Sequence, residues 1–171
     1  KSALQALYGD KWETVLSAYP ANTEVEVERA ATRLASDRFI AFATWKFIYL
    51  QAKTGHKPVY RYLFGQSRPL LPGAAEPSPG AVHSAEIEYA LGNLSTNNVY
   101  AWTPDDYRVS DMMQLYFANF IKTGNPNGPG LPQWNDMHSA NKLKVMFIGK
   151  DTHAIPADDA RYFSTGSFYN R

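Results

Sequence analysis

Val59, Tyr60, Tyr62, Leu63 and Phe64 form a β-branched and aromatic run bounded by Pro58 and Gly65. Branched and ring side chains fill both sides of a pleated surface, so this run predicts an interior strand. A strand buried on both faces needs neighbours. The remaining sequence offers one moderate strand more, Lys144 to Ile148. The pattern therefore predicts an α/β chain, mostly helical, whose few strands complete a larger central sheet. A larger N-terminal segment, covalent or nicked, is expected to supply the missing strands.

Helical spacing dominates elsewhere. Leu4, Leu7, Tyr8, Trp12, Val15, Leu16 and Tyr19 predict an opening helical region that Gly9-Asp10 divides in two before Pro20. Thr23 followed by Glu26 is a capping-box pattern, and Val27, Ala30, Ala31 and Leu34 then make an apolar stripe. Ser36 is read as the cap of a further helix ending at Gly55. Its Phe39, Phe42, Trp45, Ile48 and Tyr49 point several ways, which predicts burial on more than one face. Thr103-Pro104-Asp105-Asp106 places a cap, a proline at the first helical position and an acidic third position before a long helix. Val109, Met112, Met113, Tyr116, Phe117, Phe120 and Ile121 are expected on its core face, with Gly124 and Pro126 ending it. A last helix is predicted over Asp158 to Tyr169.

Composition bounds the function. The chain has 171 residues, 44% hydrophobic and 14% aromatic, enough for one globular core. Lys and Arg number 17 against 16 Asp and Glu, and the charges are interspersed, so no basic stripe for nucleic acid is present. There is no cysteine, hence no disulfide or thiolate metal site in these residues. The apolar run Phe39 to Leu50 is shorter than the roughly 20 residues that cross a bilayer and is interrupted by Lys46, so no membrane span is expected. The compartment stays open between cytoplasm and a secreted or periplasmic location.

Between Gln66 and Ala81 lie Pro69, Pro72, Gly73, Pro77, Pro79 and Gly80, a composition that favours a long shaped loop. The loop leads to His83 and into Ala85-Glu86-Ile87-Glu88-Tyr89-Ala90-Leu91-Gly92. An imidazole, with an ordinary pKa of about 6.5, can accept a proton near neutral pH and return it. Ser84 is adjacent to His83, and neighbouring side chains diverge, which excludes it as a partner nucleophile. Glu86 shares a helical face with His83 if the helix has begun by Val82, which makes it an orienting acid on geometry alone. A solvated glutamate at a helix start is the alternative. Asp37 reads equally as an ordinary helix-start aspartate. His56, His138 and His153 form no ligand spacing, and no His-Glu-x-x-His helix exists, so neither metal nor another cofactor is expected.

The stretch Gly80-Ala81-Val82-His83-Ser84-Ala85-Glu86-Ile87-Glu88-Tyr89-Ala90-Leu91-Gly92 resembles the histidine segment of the type B carboxylesterases, the cholinesterase-like branch of the α/β-hydrolases. Leu91 stands where that family usually has Phe. The resemblance continues, in order, through Ser36-Asp37-Arg38-Phe39, Pro58 to Phe64, and Asn119-Phe120-Ile121-Lys122-Thr123-Gly124-Asn125-Pro126-Asn127. It implies that residues 1–171 are the C-terminal segment of a single α/β-hydrolase catalytic domain. The implied activity is carboxylic ester hydrolysis through an acyl-enzyme, with His83 as the catalytic histidine. Glu86 and Asp37 are implied to be buried residues that support the active centre. No Gly-x-Ser-x-Gly occurs here, and Gly65-Gln66-Ser67-Arg68-Pro69 lacks the second glycine. The serine nucleophile and the acid are thus expected on the N-terminal segment, the chain's implied partner beside a small-molecule ester. A noncatalytic cholinesterase-like binding or adhesion protein is the alternative. A self-contained helical binding domain is a third possibility, and four motifs in register oppose it.

Overall fold

The computed structural model describes residues 1–71, 73, 80–138 and 143–169. Its elements in chain order are α1 (Ser2–Tyr8), α2 (Trp12–Ala18), α3 (Glu24–Ser36), α4 (Phe42–Thr54), β1 (Tyr62–Phe64), α5 (Ile87–Leu91), α6 (Pro104–Thr123), β2 (Lys144–Ile148), β3 (His153–Pro156) and α7 (Ala160–Thr165). They fall into two units, Lys1–Gly55 with Asp158–Arg171, and His56–Ala157.

In the first unit, Gly9 takes φ +52° and a 3-10 turn over Gly9–Lys11 separates α1 from α2, as the glycine predicts. The Thr23 hydroxyl accepts the Glu26 N–H, while the Glu26 carboxylate accepts the N–H groups of Thr23 and Asn22. Two orphan donors of the first turn are satisfied in this way, and α3 starts there. Ser36 does not cap a new helix. Its backbone is helical, its hydroxyl donates to the Thr32 carbonyl at 2.8 Å, and the chain runs from α3 into α4 through a π-helical turn over Asp37–Ala41. The wider turn absorbs an extra residue without a break. The Gly55 N–H bonds the Gln51 carbonyl at 2.8 Å and α4 ends.

Tyr8, Val15, Tyr19, Leu34, Trp45, Tyr162 and Tyr169 make this unit's core. The expectation that the helix from Ser36 to Gly55 is buried on several faces fails within the unit: Trp45 is buried, but Phe39 on the π-helical turn and Phe47 on α4 are 70% and 71% exposed. Apolar residues all round a helix exceed what one small core can cover. The last helix is also shorter than expected. It ends at Thr165 and continues as a 3-10 turn over Gly166–Phe168.

In the second unit, β1 pairs with β2 in parallel, with Leu63 opposite Phe147, and β2 pairs with β3 antiparallel, with Met146 opposite Ala154. Of the strand expected over Pro58 to Phe64, only the last three residues, Tyr62–Phe64, form one. Upstream, the Val59 carbonyl accepts the N–H of Met137, a loop residue, instead of a ladder partner. The β3 strand had no alternating signature to announce it. It follows a tight turn in which the Thr152 hydroxyl bonds both the N–H and the carbonyl of Gly149. Helix α6 has the capping box that Thr103 predicts and ends at Gly124 in a left-handed conformation, φ +75°. Val109, Met113 and Tyr116 pack with Tyr89, Leu94, Trp134, Met146 and Ile148. Its last turn departs from the expectation, with Ile121 80% exposed and Phe120 also exposed.

Candidate active site

His83 sits on a turn, exposed, two residues before the buried Ala85. The Ala85 N–H bonds the Val82 carbonyl at 3.1 Å, closing the turn around His83 and Ser84. Ser84 has φ +64° and is the one non-glycine with positive φ among the described residues. A left-handed conformation costs a residue with a Cβ about 1–3 kcal/mol, so the surroundings must hold it. The predicted loop over Gln66 to Ala81 lies partly outside the described residues, at 72 and 74–79.

Three sets of contacts fix the turn and α5 behind it. On the buried side, the Tyr89 hydroxyl donates to Asp106 Oδ1 at 2.7 Å and the Ser110 hydroxyl donates to the Tyr89 carbonyl at 2.8 Å. Burial, followed by the hydrogen bond to Asp106, pushes the Tyr89 phenol far above its ordinary pKa. At the C-terminal end, Gly92 has φ +67° and lies against Gln114, whose Oε1 would be 2.3 Å from any Cβ added there. On the outer side, Arg68 Nη2 donates to Glu88 Oε2 at 3.1 Å and approaches the Ser84 carbonyl at 3.5 Å. Arg68 Nη1 donates to the Tyr100 hydroxyl at 2.7 Å, with the guanidinium 4.9 Å from that ring's centre. The Glu88 carboxylate also accepts from Asn97 Nδ2 at 3.0 Å.

Asp106 ties this assembly to the sheet. Fully buried, it accepts the Tyr89 hydroxyl, Gln66 Nε2 at 2.9 Å, the Thr103 N–H at 2.9 Å and the Thr103 hydroxyl at 2.6 Å. Gln66 follows β1, and its Oε1 accepts the Lys150 N–H at 3.0 Å from the turn between β2 and β3. A carboxylate with four donors satisfies the rule that buried charge must be hydrogen-bonded.

Glu86 lies on the same turn as His83, half-buried, and its charge adds to burial in raising the Tyr62 phenol above its ordinary pKa. Tyr62 also lines an apolar cleft of about 250 Å³ with Tyr60, Tyr116, Phe117 and Trp134. Burial pushes the Tyr116 phenol up to about 12, and its hydroxyl donates to the Pro132 carbonyl at 2.6 Å.

Asp37 belongs to the other unit. It is 2% exposed on the π-helical turn and accepts Arg161 Nε at 2.6 Å, Arg161 Nη2 at 3.1 Å, and the hydroxyls of Tyr19 and Tyr162 at 2.7 Å each. Burial alone raises its pKa, but the hydrogen bonds from Arg161, Tyr162 and Tyr19 outweigh it and hold the carboxyl below the usual aspartate range. Asp37 is thus a buried carboxylate and not a solvated helix-start residue. His56, His138 and His153 are exposed. Among the described residues, no three histidine, aspartate or glutamate side chains converge on a possible metal position, and no helix is long and apolar enough to cross a membrane.

The sequence did not point to Arg68, Glu88, Asn97, Gln66 or Asp106 as parts of this site. Asp106 had one local signal, its place three residues after Thr103 in a capping box. The rest are joined by contacts across the fold that no spacing rule encodes.

The model of the carboxylesterase family matches residues 4–163. The chain is 37% identical over 79 residues to pyrethroid hydrolase Ces2e of Rattus norvegicus, covering 46% of this chain and 14% of that protein. It is 35% identical over 77 residues to the cocaine esterase of Homo sapiens, covering 45% and 14%. It is 41% identical over 73 residues to the acetylcholinesterase of Bungarus fasciatus, covering 42% and 11%. Among solved structures, a carboxylesterase of Geobacillus stearothermophilus superposes with a TM-score of 0.72 at 20% identity, over 94% of this chain and 33% of that one. A thermophilic pNB esterase gives 0.64 at 20% identity, over 98% and 32%. The chain thus spans about a third of the length of these solved structures. The parallel β1–β2 pair and the helices around it are part of an α/β-hydrolase fold, and the chain belongs to the carboxylesterase family.

Proposed function

We propose that this chain is the histidine-bearing C-terminal part of a serine hydrolase that cleaves small-molecule carboxylic esters through an acyl-enzyme. The observation that carries this is an exposed His83 on a turn whose backbone is held from three sides, in a chain of the carboxylesterase family. General-base catalysis needs an imidazole that is both accessible and fixed in orientation. His83 takes the proton of the serine hydroxyl as that oxygen attacks the ester carbonyl. It then gives the proton to the departing alcohol; in the second half-reaction it takes a proton from the attacking water and returns it to the serine oxygen as the acyl–oxygen bond breaks and the acid leaves. The serine, the oxyanion donors and the acid that orients the imidazole come from an N-terminal segment of the same enzyme. Glu86, next to His83 on the turn, and Asp37, with its buried hydrogen bonds, act as supports and leave the proton transfers to His83.

In the assembled enzyme, His83→Ala is expected to lower ester turnover by about 10²–10⁴-fold while leaving the thermal unfolding midpoint nearly unchanged. Steady-state kinetics with a chromogenic ester, together with a thermal melt, measure both. Retained turnover in a folded His83→Ala enzyme removes His83 from the mechanism.

A further inference from the structure

We infer that Arg68 is a positioning residue for the reaction, clamping the turn that presents His83; this rests on the role proposed above for His83. One guanidinium engages both sides of the turn. Through Nη2 it reaches the Ser84 carbonyl, directly after His83, and the carboxylate of Glu88, the second residue of α5. Through Nη1 and its flat face it is anchored on Tyr100, whose segment also supplies Asn97 to the other Glu88 oxygen. Both partners of the ion pair are largely shielded, 22% exposed for Arg68 and 18% for Glu88.

Two features say that the contact secures geometry more than stability. Ser84 is held at φ +64°, which is costly for a residue with a Cβ, and Arg68 Nη2 lies 3.5 Å from that residue's carbonyl. Arg68 Nε is buried with no hydrogen-bond partner among the described residues, an arrangement that works against stability. Only a planar fork can meet Ser84, Glu88 and Tyr100 together. A lysine ammonium in the same place keeps the charge toward Glu88 and loses the simultaneous contacts. Misplacing a reacting group by a fraction of its contact distance costs rate, not substrate affinity.

The test compares Arg68→Lys, Tyr100→Phe and His83→Gln with the parent in the enzyme that carries this chain, measuring kcat, KM, fluorophosphonate acylation rate and the unfolding midpoint. Arg68→Lys is expected to lower kcat and acylation rate by about 10- to 100-fold, with KM within about twofold and an unchanged midpoint. Tyr100→Phe, which keeps the ring and removes the anchoring hydroxyl, is expected to show a smaller loss of the same kind. It decides the matter if Arg68→Lys does not fold. Parent-like kcat in both variants, alongside an inactive His83→Gln, overturns the clamp and leaves the role of His83 intact. A rise in KM alone makes Arg68 a substrate contact, which also overturns it. An active His83→Gln removes the proposed mechanism and the clamp with it.

Discussion

Asp37 concentrates the buried electrostatics of its unit on one residue. Its two oxygens take four hydrogen bonds, two of them from an Arg161 that is itself largely shielded. Replacing it by asparagine strands the guanidinium, and breaking a buried pair in this way is expected to cost about 3–5 kcal/mol, read from denaturant or thermal unfolding. The sign of the pH effect follows from a folded pKa below the unfolded value of about 3.9. The stabilisation is fully present above the unfolded pKa and is lost as pH falls through the folded one. Parent unfolding midpoints should therefore fall between about pH 5 and pH 2, and those of Asp37→Asn should fall less over that window. Equal acid sensitivity of the two proteins would show that Asp37 does not titrate out of a stabilised state. The sequence marked Asp37 as either a scaffold carboxylate or a helix cap. Its partners decide between these, and they lie 18, 124 and 125 positions away, beyond any local pattern.

At the scale of elements, local chemistry was legible and long-range chemistry was not. Thr23 and Thr103 predict helix starts, and each makes the reciprocal bonds of a capping box. Gly9, Gly55 and Gly124 predict breaks and ends that the backbone adopts. A π turn over Asp37–Ala41 has no such sequence signature, so Ser36 has the sequence pattern of a cap in the middle of a continued helix. The β3 strand was missed because four residues ending in proline carry no alternation, and pairing with β2 alone makes them a strand. Thr103 joins the two kinds of chemistry, since its hydroxyl caps α6 and also donates to the buried Asp106 that holds Tyr89. Thr103→Ala is expected to lower stability by about 1–2 kcal/mol, measured by urea unfolding, at the upper end of a lost helix cap. A change below about 0.5 kcal/mol would mean that Asp106 is satisfied without it.

For the whole molecule, the strand-poor sequence predicts a piece of a larger sheet; the described residues form three strands, and the solved esterases that share the fold are about three times as long. Phe39, Phe47, Leu63 and Ile121 are exposed, and on the function proposed above they are surfaces for the N-terminal segment to cover. The histidine segment was legible because its residues are contiguous. The clamp and the Asp106 assembly were not, because they are made by folding. His83 is proposed to serve a serine nucleophile on the rest of the same enzyme. Fluorophosphonate labelling of the native enzyme, with intact-mass analysis of every polypeptide in it, tests this most directly. One phosphonylated serine is expected on a segment N-terminal to this chain, with labelling strongly slowed by His83→Ala. An unlabelled protein in which that segment is present would contradict it and favour a noncatalytic member of the family.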